Sequence, residues 1–210
     1  HLLGKNQVFR RTVESGKIPN MIFYGPSGVG KGSICHMLMA RNPNLFYSVS
    51  ATTRAPREGE VDGENYHFLT KAQFEARIAE GDFLEWAELF GNYYGTPKSA
   101  VLQMLAAGKD VILEIDTQGA MQVKAGCPMG IFIFILPPSL EALEERILKR
   151  GSETAESLAL RLLESERELA MAPRYDYQVV NDDLQTAVQE MEYIIRCEKE
   201  KRSILEEAAP

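Results

Sequence analysis

The chain has 210 residues, 45% of them hydrophobic and 25% charged, which suits one compact α/β domain with small insertions. Its 30 acidic and 23 basic residues give a net charge of −7, which argues against a surface that wraps nucleic acid. No apolar run reaches the roughly 18 residues of a membrane span, and the three cysteines and three histidines show no metal-ligand spacing. We therefore expect a cytoplasmic protein that binds neither nucleic acid nor a membrane.

The first half of the chain alternates apolar runs with glycine-rich and polar segments. Residues 20–24 predict a buried strand, a glycine loop then opens a helix that runs to about Arg41, and residues 46–50 predict a second strand. A polar stretch covers residues 52–65. Period-two patterning then predicts strands at 66–69 and 83–90 around a helix at 71–80, which indicates a small mixed sheet.

The second half returns to a regular alternation. Strands are predicted at 110–115, 131–136 and 178–180, and helices at 97–107, 139–149, 157–172 and 184–207. Pro97 suits a first helical turn and Ser139 a helix N-cap. Strands that alternate with helices predict an α/β sandwich of three layers with a parallel central sheet. We predict a single domain with an N-terminal extension at 1–19, a core at 20–50 and 97–210, and a subdomain inserted at 51–96.

A glycine loop of the form G-x-x-x-x-G-K lies directly after the first strand and before the first helix. Such a loop curls backbone N–H groups around phosphate oxygens, the helix N-terminus adds positive potential, and the lysine reaches the β- and γ-phosphates. The sequence therefore predicts a phosphotransferase that binds a nucleoside triphosphate. The predicted ATP-binding residues of the loop are Gly25, Pro26, Ser27, Gly28, Val29, Gly30, Lys31, Gly32 and Ser33.

The loop departs from the strict pattern immediately after its lysine. Gly32 stands where a serine or threonine would bind Mg²⁺ directly, and Ser33 follows it. We expect Mg²⁺ to arrive with ATP and to be held by phosphates and water, with Ser33 assisting.

Five further segments carry a resemblance to a known family. They are residues 48–57, 59–63 with Tyr66, 83–87, 92–96 and 115–119. In this order and at this spacing they resemble the guanylate kinases, and the resemblance runs from about Met21 to the C-terminal helix. It implies a P-loop NTPase fold in which residues 51–96 form a mixed α/β subdomain for the nucleoside monophosphate and residues 146–166 form a helical lid. The implied reaction transfers the γ-phosphoryl group of ATP to GMP, giving ADP and GDP, in purine nucleotide metabolism.

Paired arginines and tyrosines fit the phosphate of a mononucleotide acceptor. A planar guanidinium binds phosphate in a bidentate manner, and Arg54 and Arg57 supply two guanidiniums in one polar stretch. The phenols of Tyr66 and Tyr94 can donate to the same phosphate. The resemblance assigns all four residues to GMP and gives Arg54 a catalytic role as well.

Glu85 is the candidate reader of the guanine base. Guanine presents a ring N–H beside an exocyclic amine, and a carboxylate accepts from both, whereas adenine would leave that carboxylate unpaired. Hydroxyls of Ser50 and Thr96 complete the recognised edge. As an alternative, Glu85 faces solvent from a half-buried strand. We expect the adjacent Trp86 to lie in the core.

Two more carboxylates, Glu114 and Asp116, stand two apart at the end of a buried strand and hence on one side of it. Ligands of open α/β sheets bind beyond such strand ends. The resemblance implies that Asp116 contacts the acceptor nucleoside or the hydrated metal and that Glu114 assists. As an alternative that does not exclude this contact, Asp116 is the N-cap of a following helix.

Three arginines flank a polar segment at 151–154, with a spacing similar to that of the guanylate kinase lid. We assign Arg146, Arg150 and Arg161, with Lys31 opposite, to stabilise charge on the transferred phosphoryl group. As an alternative, Arg161 forms ion pairs with glutamates of its own helix. No general base is expected, because the acceptor phosphate is already an anion.

The donor base is assigned to the residues that follow the last predicted strand. Asn181 and Asp182 sit where guanylate kinases contact this base, so the resemblance makes both of them ATP-binding residues.

Three alternatives stay open at this point. Residues 1–24 look like the opening of clamp-loader-like AAA+ ATPases, although the later strand ends in E-x-D rather than in adjacent D-E. A phosphopeptide-binding scaffold with the same fold would generally lack an intact loop. A related kinase acting on a ribose phosphate would not need Glu85. We expect ATP and GMP as partners and a monomer or a homodimer.

Overall fold

The computed structural model describes residues 21–89, 91–127, 129–149 and 155–207. In chain order its elements are β1 (Met21–Tyr24), α1 (Lys31–Arg41), β2 (Leu45–Tyr47), β3 (Ala51–Thr52), β4 (His67–Phe68), α2 (Lys71–Glu80), β5 (Phe83–Leu89), β6 (Asn92–Pro97), α3 (Lys98–Ala106), β7 (Asp110–Glu114), α4 (Thr117–Gly126), β8 (Ile131–Leu136), α5 (Leu140–Leu148), α6 (Ala155–Leu169), a 3₁₀ turn (Ala172–Arg174), β9 (Tyr177–Val180) and α7 (Leu184–Glu207).

These elements form two compact units. The loop unit comprises Met21–Pro43 together with the described residues of Ile131–Pro210, and the mixed unit comprises the described residues of Asn44–Gly130. Among the described residues, none of the helices combines the length and the apolar composition that a membrane span requires.

Three parallel strands form the centre of the loop unit. β8 lies between β1 and β9, with Phe23 opposite Ile133 and Ile135 opposite Val179. All of β8 except its last residue is buried, as expected for a strand whose two faces are both covered. The ring of Tyr24 meets Phe134 edge-on at 4.9 Å and stacks on Tyr175 at 5.5 Å.

The long helix α7 packs against α1 through one apolar stripe. Its buried residues recur at the spacing of a single helical face, and they are Ala187, Val188, Met191, Ile194 and Ile195. At the end of α1, Arg41 forms an ion pair with Glu192 of α7 at 3.3 Å. A 24-residue helix that is charged overall is thus held by its one apolar side.

The mixed unit contains a parallel strand pair and a second, small sheet. β2 runs parallel to β7, with Leu45 opposite Asp110. The small sheet has the order β4-β3-β6-β5, in which β3 pairs in parallel with β4 and the other neighbours are antiparallel. Helix α2 covers it through Phe74, whose ring stacks on that of Phe83 at 4.3 Å. This is the small mixed sheet that the sequence predicts.

The bounds of helix α2 follow from local chemistry on both sides. Thr70 accepts from the backbone N–H of Gln73, whose side chain accepts in turn from the backbone N–H of Thr70, and this is a capping box. Gly81 ends the helix with φ of 70°, in the left-handed region that glycine adopts most easily. The predicted helix at 71–80 is confirmed to the residue.

The α/β fold with its parallel sheet is confirmed, and the differences are local. Strands β3 and β6 and helix α4 were not predicted, and Pro97 is the N-cap of α3 rather than part of its first turn. The strand predicted at 46–50 lies at Leu45–Tyr47, and the helix predicted at 157–172 lies at Ala155–Leu169. The proposed extension at 1–19 lies outside the described residues.

Candidate active site

Glycines set the path of the loop between β1 and α1. Gly28 and Gly30 have φ of 98° and 86°, a backbone region that other residues rarely adopt. A Cβ on Gly25 would overlap the carbonyl oxygen of Ile135, and one on Gly30 would lie 2.5 Å from Nδ2 of Asn181. Gly30 is also the N-cap of α1 and makes no side-chain cap. The first turn of α1 therefore presents backbone N–H groups that a phosphate can accept from.

Lys31 folds back over the loop that precedes it. Its Nζ donates to the carbonyl oxygen of Gly25 and lies 5.5 Å from the centroid of the Tyr24 ring. Gly32 and Ser33 are both exposed in the first turn of α1. The ammonium group of Lys31 thus lies against the start of the glycine loop, beside the first turn of α1.

Asn181, the residue that follows β9, contacts the loop directly. It is buried, and its Nδ2 donates to the carbonyl oxygen of Val29 at 2.6 Å. The carbonyl oxygen of Asn181 accepts from Nη2 of Arg146 at 2.9 Å. One residue therefore ties the phosphate loop to the first predicted catalytic arginine. Its contact with the donor base stays a prediction, as does that of the exposed Asp182.

Of the other two arginines assigned to the transferred group, Arg161 lies on α6. Arg161 is half-buried on that helix. Arg150 lies outside the described residues, as do residues 151–154 of the polar segment, so this part of the assignment stays a prediction.

On the acceptor side, Arg54 is held by the carboxylate of Glu60, a residue to which the sequence pattern gave no role. Its Nη2 donates to Oε1 of Glu60 at 2.8 Å, and Oε2 of Glu60 accepts from the backbone N–H of Arg57 at 2.7 Å. The hydrogen bond from Arg54 lowers the pKa of Glu60. Glu60 therefore links the two predicted phosphate-binding residues. The Arg57 side chain itself is exposed.

Aromatic rings surround Arg54. Its guanidinium carbon lies 5.4 Å from the centroid of Tyr66 and 5.8 Å from that of Phe68. Tyr66 meets Tyr94 edge-on at 6.1 Å, so three of the predicted phosphate-binding residues lie together. Burial, and after it the charge of Glu114, raises the pKa of Tyr66 to about 12. Its phenol is therefore a hydrogen-bond donor at neutral pH.

Glu85 is buried, with 5% of its surface exposed, so the alternative in which it faces solvent is wrong. Oγ1 of Thr96, itself 1% exposed, donates to Oε1 of Glu85 at 2.6 Å. The pKa of Glu85 is raised to about 7. Burial is the main cause and the charge of Asp116 adds to it, while the hydrogen bond from Thr96 lowers the pKa. Ser50, the third predicted base-reading residue, is half-buried.

The prediction that Trp86 lies in the core is wrong, because 38% of its surface is exposed. The pairing of β5 with β6 shifts between Phe83 and Trp86, and the inward position there belongs to Glu85. The indole packs edge-on against Tyr93 at 5.8 Å. A carboxylate thus takes the place that hydrophobicity alone would give to the tryptophan.

Glu114, the last residue of β7, and Asp116, two residues beyond it, each have a defined hydrogen-bond partner. Oε2 of Glu114 accepts from the phenol of Tyr47 at 3.1 Å. Oδ1 of Asp116 accepts from the backbone N–H of Gly119 at 2.6 Å and caps α4, so the alternative of a capping role is confirmed, while its contact with a ligand stays a prediction. In the described part of the chain, no group of three or more His, Cys, Asp or Glu residues is placed to hold a metal ion.

We expect the buried carboxyl of Glu85 to make folding stability depend on pH. Its pKa is about 7 in the folded protein against an ordinary 4.5, so the folded state binds the extra proton. The stability it contributes is fully present below pH 4.5 and is lost as the pH rises through 7. Relative to Glu85→Gln, the nucleotide-free wild type should lose up to about 3 kcal/mol of unfolding free energy between pH 4.5 and pH 8. Urea denaturation of both proteins at the two pH values measures this, and an unchanged difference would contradict it.

Comparisons with known proteins give a consistent result. Residues 17–198 match the family model described as guanylate kinase. A guanylate kinase of Clostridium perfringens is 58% identical over 179 residues, which are 85% of this chain and 83% of that protein. One of Carboxydothermus hydrogenoformans is 54% identical over 181 residues, 86% of this chain and 89% of that protein. The crystal structure of guanylate kinase from Anaplasma phagocytophilum has a TM-score of 0.72 at 31% identity and covers 86% of each chain.

Proposed function

We propose that this chain, which belongs to the guanylate kinase family, transfers the γ-phosphoryl group of ATP to GMP and releases ADP and GDP. The family match over residues 17–198 and the 58% identity to a guanylate kinase confirm the resemblance seen in the sequence. Beyond family membership, the proposal depends on one observation, the buried carboxylate of Glu85 beside the hydroxyl of Thr96. A buried charge of this kind is costly, and a ligand that offers two adjacent N–H donors offsets that cost.

The loop at 25–31 binds the phosphates of ATP. Its N–H groups and the open first turn of α1 surround the phosphate oxygens, and Lys31 exchanges the carbonyl of Gly25 for a β- or γ-phosphate oxygen. Mg²⁺ enters with ATP as part of the substrate and neutralises phosphate charge. Because Gly32 has no hydroxyl, this metal is held by phosphates and water, with the exposed Ser33 beside it.

The acceptor phosphate binds to Arg54, Arg57, Tyr66 and Tyr94. Glu60 and the aromatic rings fix the direction of the Arg54 guanidinium before GMP arrives. The protonated phenol of Tyr66 supplies a further donor. Residues 51–96 would act as the acceptor subdomain.

Glu85 reads the base of GMP. Its carboxylate accepts from the ring N–H and the exocyclic amine of guanine, while hydroxyls of Ser50 and Thr96 complete the edge. Glu114 and Asp116 contact the nucleoside. Adenine has no donor on its ring nitrogen at the matching position and would leave Glu85 unsatisfied, which explains a preference for guanine.

Alignment and charge stabilisation carry the chemical step. The attacking oxygen belongs to an anionic phosphate, so no side chain has to remove a proton. Arg146, Arg150 and Arg161 would stabilise charge on the moving phosphoryl group, and Lys31 would act from the loop. Residues 146–166 would act as the lid. The hydrogen bond from Arg146 to the carbonyl oxygen of Asn181 fixes the position of this guanidinium before the substrates bind. We place the protein in the cytoplasm, as a monomer or a homodimer without nucleic-acid or membrane partners.

An acceptor panel tests the proposed function. ADP formation is followed with GMP, AMP, UMP and no acceptor at equal concentrations, with MgATP in excess. GMP should support turnover at least about 100-fold faster than AMP or UMP, because the wrong base leaves Glu85 unpaired. ADP formation at the same rate without any acceptor would favour the AAA+-type ATPase instead.

A further inference from the structure

The first turns of helix α4 (Thr117–Gly126) pack directly behind Glu85. Gly119 is buried there, and a methyl carbon built on it would lie 2.9 Å from Cδ of Glu85 and closer still to Oε2. Thr96 donates to the other oxygen, Oε1. The carboxylate therefore lies between a hydroxyl on one side and the bare Cα of a glycine on the other.

The backbone of α4 gives no reason for a glycine at this position. Gly119 is helical rather than left-handed, since its φ does not fall in the positive range that favours glycine. Its N–H, which donates to Asp116, is present in any residue except proline. In a helix, glycine costs about 1 kcal/mol relative to alanine. What an alanine would meet first is the carboxylate of Glu85; the next atom, Oδ1 of Asp116, would lie 3.3 Å from the added carbon.

One turn further along α4, Gln122 holds the strand that carries Glu85. Its Nε2 donates to the carbonyl oxygen of Trp86 at 2.9 Å, and its Oε1 accepts from the Trp86 N–H at 3.4 Å. This pairing falls where the register of β5 with β6 shifts, so Gln122 satisfies main-chain groups at an irregular point of the sheet.

We propose that Gly119 is a specificity-determining positioning residue: the space left by its missing side chain holds the Glu85 carboxylate where it reads guanine, and Gln122 fixes the strand behind it. This inference rests on the proposed function, in which Glu85 recognises the base of GMP. In this proposal Gly119 does not meet the substrate itself: its N–H to Asp116 is common to any residue except proline, and the missing side chain acts through Glu85.

Gly119→Ala separates this role from ordinary packing. The group in the way is the free end of a flexible side chain, so the carboxylate can turn aside while the helix and the strand stay in place. The KM and the dissociation constant for GMP should rise by about 10- to 100-fold, as expected when charge-assisted hydrogen bonds to the base are lost. The KM for ATP and kcat at saturating GMP should stay within about twofold, and the melting temperature should stay or rise. Ala125→Ser, an exposed change on the same helix, serves as the matched control.

A double-mutant cycle with Glu85→Ala identifies the route of the effect. If Gly119 acts through Glu85, adding Gly119→Ala to Glu85→Ala should change the KM for GMP by less than about twofold. Gln122→Ala alone should raise that KM by a smaller factor than Gly119→Ala does.

Different outcomes would overturn the role of Gly119 and the proposed base-reading role of Glu85. If Glu85→Ala keeps the wild-type preference for GMP over AMP, the base-reading role in the proposed function fails. If Glu85→Ala loses the preference while Gly119→Ala keeps wild-type GMP affinity, only the inference about Gly119 is overturned. A lower melting temperature of Gly119→Ala with equal loss toward ATP and GMP would also overturn it, because Gly119 would then be a packing residue.

Discussion

Replacing Lys31 with alanine is expected to lower kcat by about 10³-fold or more while the dissociation constant for GMP stays within about twofold of the wild-type value. Lys31 ends the glycine loop, and its ammonium group lies over that loop, folded onto the carbonyl of Gly25. In the proposed function it meets only the donor phosphates, where it would balance charge that grows in the transition state. The effect should therefore fall on the chemical step and on ATP.

A coupled assay of ADP formation gives kcat, and calorimetry without ATP gives the affinity for GMP. Lys71→Ala is a suitable control, because Lys71 is exposed at the start of α2 and its Nζ lies 5.3 Å from the centroid of the Tyr93 ring. Near-normal turnover of the Lys31 variant would refute the assignment of the loop. An equal loss of GMP affinity would show that the variant has lost more than a donor contact.

Replacing Glu85 with glutamine is expected to reduce kcat/KM for GMP by about 10- to 100-fold and to weaken the preference for GMP over AMP. Glutamine matches the shape of glutamate and can still accept from Thr96. It offers a single acceptor oxygen, however, and its amide N–H₂ would face the donors of guanine. Because the neutral amide removes a buried charge, the variant should fold at least as well as the wild type at pH 8.

The control for this change is Glu88→Gln, an exposed position on the same strand. The preference is measured as the ratio of kcat/KM for GMP to that for AMP at one pH. If Glu85→Gln retains the wild-type ratio, Glu85 does not read the base, and the guanine assignment has to rest on other residues.

Much of the fold follows from local sequence because its signals are local. The buried run at Ile131–Leu136 is apolar throughout, and helix Lys71–Glu80 carries its own start and stop signals in Thr70 and Gly81. Strand Ala51–Thr52 was missed because it is two residues long and lies in a polar stretch, where only its partners on both sides make it a strand. Helix Thr117–Gly126 contains two glycines, which weaken its helical pattern.

The candidate site divides in the same way. The glycine loop was predictable because its chemistry lies in seven consecutive residues in the right context. The sequence could predict that Glu85 reads the base, but not where its side chain lies. Its burial, its hydrogen bond from Thr96 and the exposure of Trp86 depend on the register of β5. Glu60 and Gly119 lie within the segments that resemble the guanylate kinases. Their contacts with Arg54 and Glu85 form only in the folded chain and could not be read from the sequence. The signals available for them were a carboxylate six residues after a paired arginine and a glycine inside a helix.

We propose that this chain moves a phosphoryl group from ATP to GMP rather than to water. The most direct measurement repeats the acceptor panel with ATP labelled in its γ-phosphate and identifies the labelled product. The label should appear in the β-phosphate of GDP, with one GDP formed for each ADP, and almost none should appear as inorganic phosphate when the acceptor is absent. Label released as inorganic phosphate at the same rate with and without GMP would contradict the account.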